Sequence, residues 1–142
     1  MPIGERVVII GGALQGCQLA EFLVKRGRKV AIVDTAKKLG EGLLSNDPTR
    51  LFKWFNQKGV TVMAEVKYEE ITDKGLVITT KDGERKTLEA DTIITALPLL
   101  PSVDLLKSLE GKVPQVYQIG DCRESGFIHS AIADGSRIAR MI

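Results

Sequence analysis

One histidine, two cysteines and no surplus of charge leave this sequence little from which to build a hydrolytic or metal-dependent site. His129 stands alone, with no adjoining serine or cysteine motif of the kind that marks an activated nucleophile, so no residue reads as catalytic. Cys17 and Cys122 lie far apart and form no C-x-x-C pair, which argues against a disulfide framework and for two reduced thiols. They are also too few to hold an iron–sulfur centre, and no metal site is expected. Lys and Arg number 20 against 18 Asp and Glu, a net charge of +2, which gives no electrostatic case for nucleic acid or an anionic membrane. No apolar run approaches the roughly 20 residues that cross a bilayer. The opening MPIGERVVII has neither the basic start nor the long apolar stretch of a secretory signal. A cytoplasmic chain is the expectation.

What is present is a globular composition, 44% hydrophobic and 27% charged, in a length that suits one domain. Residues 6–11 form a continuous apolar run of the type found in a strand covered on both faces. Leu14, Cys17, Ala20, Leu23 and Val24 then recur at helical spacing up to a stop at Gly27, and residues 29–33 give a second buried strand. This strand–helix–strand unit implies a right-handed parallel crossover. Asp47-Pro48 announces another helix, with Asp47 as its cap, carrying Leu51, Phe52, Trp54 and Phe55, and residues 60–64 follow as a third strand. Residues 66–90 alternate polar and apolar around turns at Asp73-Lys74-Gly75 and Asp82-Gly83, the pattern of a three-stranded antiparallel meander. Residues 91–97 return to buried-strand character. After Pro98 and Pro101 come a short helix over 103–109, a last strand over 115–120 and a last helix over 126–142. The fold class is therefore α/β, a three-layer Rossmann-like domain with parallel strand order 3-2-1-4-5 and an inserted meander.

Gly11, Gly12, Ala13, Leu14, Gln15 and Gly16 follow the first strand as a near match to the dinucleotide fingerprint G-x-G-x-x-G. In that pattern the first glycine makes the tight turn, the second lets backbone approach a pyrophosphate, and the third lets helix pack on strand. Free amides at the helix N-terminus then face the phosphates. Ala13 places a methyl group at the second position. Asp34, at the end of the second strand, stands where a carboxylate accepts hydrogen bonds from an adenosine ribose and repels an added phosphate, which favours NAD(H) over NADP(H). Lys37 and Lys38 close by soften that preference.

The blocks VVIIGG…GCQLAEFLVKRGRKVAIVD, KLGEGLLSNDPTRLFKWFNQKGV, LEADTIITAL, VYQIGDC and AIADGSRIAR, in this order, resemble one segment of a known family. That segment is the C-terminal nucleotide-binding part of bacterial NADH:flavin oxidoreductases of the 2,4-dienoyl-CoA reductase and 2-enoate reductase type, themselves similar to glutathione-reductase-like flavoproteins. The resemblance implies that residues 1–97 correspond to a nicotinamide domain and residues 98–142 to a segment returning to an FAD domain. It implies that Asp121 contacts the FAD ribityl chain, and that Gln18, where the family commonly has Glu, lies near the nicotinamide. Pro98 stands where the family commonly has glycine. The family's first FAD segment and its substrate domain have no counterpart in these residues, so FAD is expected only together with that missing segment.

The leading expectation is an NAD(P)H-binding domain that delivers hydride to FAD in a full-length enzyme and is silent alone. Two other readings stand beside it: a non-catalytic interaction or structural domain that no longer binds nucleotide, and a small stand-alone FAD-binding protein. Residues 115–120 and 126–142 are expected to fold back as the sheet's fifth strand and its covering helix. Exchange of that tail between two chains, giving a homodimer, is the alternative.

Overall fold

The structure is a computed structural model that describes residues 3–43 and 48–142. Its chain forms two compact units, Met1–Leu97 and Pro98–Ile142.

In the first unit the parallel sheet takes β1 (Arg6–Ile10), β2 (Lys29–Val33), β3 (Thr61–Met63) and β7 (Thr92–Thr95) in the order β3-β2-β1-β7. Helix α1 (Leu14–Val24) and helix α2 (Pro48–Gln57) make the crossovers from β1 to β2 and from β2 to β3. The meander is β4 (Lys67–Thr72), β5 (Gly75–Thr79) and β6 (Arg85–Glu89), antiparallel throughout.

The alternation along β1 explains the layering. Val7 and Ile9 join Cys17, Ala20, Leu23, Ile32 and Phe55 in a core on the helical side. Val8 and Ile10 join Val33, Leu76, Ile78 and Leu88 in a second core against the meander. Successive strand side chains point to opposite faces, so one strand with no polar residue after Arg6 serves both cores. The aromatic residues of α2 belong to the helical-side core, with Phe55 fully buried and Phe52 edge-on to it. The cap expected at Asp47 lies outside the described residues.

The second unit contains α3 (Asp104–Leu109), a single 3-10 turn (Gly120–Cys122) and α4 (Ile128–Ala139). The sheet departs from the expected order 3-2-1-4-5: positions 3-2-1-4 are filled, but residues 115–120 form no strand in either sheet. Ile119 has extended dihedrals, yet a strand exists only where its amides and carbonyls find a ladder partner, and residues 115–119 have no backbone partner among the described residues. The expected fold-back of the tail as a fifth strand is therefore not formed. Asp134 is the buried charged side chain among the described residues. It accepts hydrogen bonds from Arg123 Nε at 2.7 Å and the Gly120 amide at 3.2 Å, holding the 3-10 turn against α4. The Arg123 guanidinium keeps its carboxyl below the usual aspartate range.

Candidate functional site

The β1–α1 turn is shaped by backbone that leaves no room for side chains at two of its glycines. Gly11 sits at φ +110°, and a Cβ there would meet the Ala96 carbonyl oxygen at 2.4 Å. A Cβ on Gly16 would fall 1.9 Å from the Gly11 carbonyl oxygen, so α1 rests directly on the turn. Ala13 raises no such conflict. It adopts φ −74° and ψ −170°, an extended conformation open to any L-residue, and serves as the helix N-cap residue without a capping side chain. The methyl group therefore strains nothing in the chain itself.

The end of β2 is drawn onto this turn. The Gly11 amide donates to the Val33 carbonyl at 2.8 Å, and the Gly12 amide donates to Asp34 Oδ2 at 2.6 Å. Asp34 Oδ1 accepts from the Ala36 amide at 2.9 Å, so the carboxylate is fixed by two backbone donors. Cys17 completes the underside: its thiol donates to the Gly12 carbonyl at 3.3 Å, and burial, with Asp34 nearby, pushes it up to about 11. That thiol is a packing group with a hydrogen bond rather than a nucleophile.

The sequence placed six fingerprint residues and Asp34 at one locus, and the structure brings them together. Gln15 and Gln18 are exposed on the first turns of α1. Asp121 is exposed on the 3-10 turn of the second unit, where its Oδ1 accepts the Gly126 amide at 3.2 Å. At the helix start, the amides of Ala13, Gln15 and Gly16 have no hydrogen-bond partner among the described residues. The Leu14 amide is engaged: it donates to the Glu41 carbonyl at 2.8 Å. Beside it the Gly40 amide donates to the Gly12 carbonyl at 2.7 Å, and the buried Leu39 side chain covers Gly12, where a Cβ would lie 2.3 Å from Leu39 Cδ2. This strap over residues 39–43 lies in a stretch, 36–47, that the sequence presents only as a polar loop. Its only signal there is the spacing of Leu39, Gly40 and Gly42 in KLGEGLL.

A parallel sheet with a glycine turn and helix N-terminus at its carboxyl edge, and an acidic residue at the end of the next strand, defines the dinucleotide-binding class of α/β domains. Residues 1–135 match the family model described as pyridine nucleotide-disulphide oxidoreductase, and the chain belongs to that family. The NADH oxidase of Thermoanaerobacter brockii is 30% identical over 139 residues, which is 97% of this chain and 21% of that protein. The cinnamate reductase of Clostridium sporogenes is 30% identical over 143 residues, 99% of this chain and 21% of that protein. Among solved structures, a 2-naphthoyl-CoA reductase in complex with 2-naphthoyl-CoA superposes with a TM-score of 0.84 at 28% identity, over 100% of this chain and 22% of its own. The chain thus spans about a fifth of the length of these relatives. Its resemblance to flavin- and NAD(P)H-dependent oxidoreductases is established at the level of family and fold.

Proposed function

We propose that this chain binds a nicotinamide dinucleotide, NAD(H) in preference to NADP(H), and that within a longer flavoprotein it brings that nucleotide to FAD. The observation that carries the reading is the Asp34 carboxylate, held at 2.6 Å by the Gly12 amide beside three amides at the start of α1 that have no partner among the described residues. Anionic groups are favoured at such a helix terminus by donors and dipole together. The donor set fits: Gly11 and Gly12 form the turn, the amides of Ala13, Leu14, Gln15 and Gly16 serve the pyrophosphate, and Asp34 serves the adenosine ribose. Gln18, exposed one turn further along α1, lies toward the nicotinamide end, and Asp121 contacts the flavin when the remainder of an FAD domain is present. When bound, the nicotinamide supplies hydride to the flavin; the protein's part is position and electrostatics.

On this reading Met1–Leu97 is the nicotinamide domain and Pro98–Ile142 the segment that completes an FAD domain in the full-length enzyme. A cytoplasmic setting suits its two free thiols. The chain alone holds no flavin and turns over nothing. A calorimetric titration with NADH, NADPH and FAD tests this. Saturable NADH binding, weaker NADPH binding, no FAD binding, and at least a tenfold loss of NADH affinity in Asp34→Ala are the expected results. Equal NADH affinity in Asp34→Ala removes the ribose assignment. FAD binding without NADH binding turns the reading toward a stand-alone flavin protein. One observation favours the second reading, an interaction domain that has lost its nucleotide: the Glu41 carbonyl already occupies the Leu14 amide. Absence of heat from all three ligands puts that reading in the lead instead.

A further inference from the structure

Residues 40–43 form a β-turn closed by the Leu43 amide on the Gly40 carbonyl at 3.1 Å. Gly42, its third residue, has φ +80°, while Glu41 is not among the residues of positive φ, which makes the turn type II. The central peptide of this turn, between Glu41 and Gly42, is the one whose carbonyl accepts the Leu14 amide at 2.8 Å. A carbonyl oxygen thus sits on a donor at the positive end of α1, where an anionic oxygen is best accommodated.

Type I and type II turns differ by a half rotation of that central peptide, with the closing hydrogen bond kept. In type I the third residue has φ near −90°, accessible to every L-residue, and the peptide presents its N–H on the side where type II presents its C=O. Among the described residues, rotation here breaks one hydrogen bond, Leu14 to Glu41. The Gly40 amide on the Gly12 carbonyl and the Leu39 packing do not involve that peptide and stay in place. A groove of about 390 Å³ lined by Lys38, Leu39, Gly40, Glu41, Leu43 and Pro48 runs along the turn.

We infer that the Glu41–Gly42 peptide is a built-in competitor for the pyrophosphate site: its carbonyl caps the Leu14 amide in the ligand-free protein, and a pyrophosphate displaces it by rotating the turn from type II to type I, which exchanges a repelling carbonyl for the donating Gly42 amide. The inference rests on the nucleotide reading above and adds to it an affinity-determining residue, Gly42, outside the fingerprint. Glycine is what lets the capped state exist, because an L-residue at φ +80° is disfavoured by an amount worth about one order of magnitude in the equilibrium.

The test is Gly42→Ala, which penalises the backbone dihedrals of the capped state and not those of the rotated one. The expected results are about tenfold tighter NADH binding by calorimetry, since less of the protein is held in the incompetent state, and faster hydrogen exchange at the Leu14 amide without ligand. Gly42→Asn, whose side chain tolerates positive φ, is expected to fall between wild type and Gly42→Ala and guards against a fold defect. Wild-type binding with unchanged or weakened affinity in Gly42→Ala overturns the competitor and leaves the nucleotide reading intact. If neither protein binds NADH, the nucleotide reading fails and the Leu14 exchange rate decides alone: faster in Gly42→Ala upholds the carbonyl cap, unchanged overturns it.

Discussion

Asp91 and Arg6 meet where β7 begins beside β1, and their pairing is tighter than a surface contact needs to be. Asp91 Oδ1 accepts from Arg6 Nη2 at 2.7 Å and Nε at 3.2 Å, while Oδ2 accepts the Arg6 backbone amide at 2.8 Å. Hydrogen bonding to the Arg6 side chain, then to its amide, holds the Asp91 carboxyl down to about 2. A carboxyl depressed in the folded state contributes stability that is complete above its unfolded value, near 4, and is lost as pH falls towards about 2. Asp91→Asn is therefore expected to be less stable than wild type at pH 6, with the gap closing between about pH 4 and 2 in urea titrations. The pair is solvent-exposed, so the gap should be small and shrink in high salt. At the same scale the methyl group of Ala13 imposes no backbone strain, and Asp34 is held by two backbone amides.

Among the elements, the contact of α1 with its own preceding turn is the least forgiving. Gly16→Ala would drive a methyl group to 1.9 Å from the Gly11 carbonyl, so the helix must lift from the strand. We expect a loss of about 1–3 kcal/mol in unfolding free energy, measured by denaturant titration, together with loss of the proposed NADH binding. These elements were legible because each is written locally: four successive apolar residues for β1, helical spacing from Leu14 to Leu23, and an Asp directly after β2. The strap was not legible. It is made by backbone bonds joining Gly12 and Leu14 to Gly40 and Glu41, and apart from Leu39 and the positive-φ glycines Gly40 and Gly42 no side-chain type announces it. Residues 115–120 failed for the opposite reason, since QVYQIG has strand composition but pairing is a property of a partner.

At the level of the whole molecule, the two units differ in how well they bury their apolar residues. The first encloses two cores. In the second, Leu100, Leu105, Ile128, Ile132 and Ile142 are all exposed, with Ile128 at 81% and Ile132 at 67% on one side of α4. Exposed apolar clusters of this kind promote association. Sedimentation velocity of the chain is expected to show concentration-dependent self-association, and Ile128→Asp combined with Ile132→Asp to suppress it; a monomer at all concentrations would remove the tail as an adhesive surface. The first unit has the contrary property, and β1 is its cause. Val7 and Ile9 belong to one core and Val8 and Ile10 to the other, so neither core can open without stripping a face from the strand at the centre of both. Two hydrophobic layers that look separable in space are thereby made to melt as one.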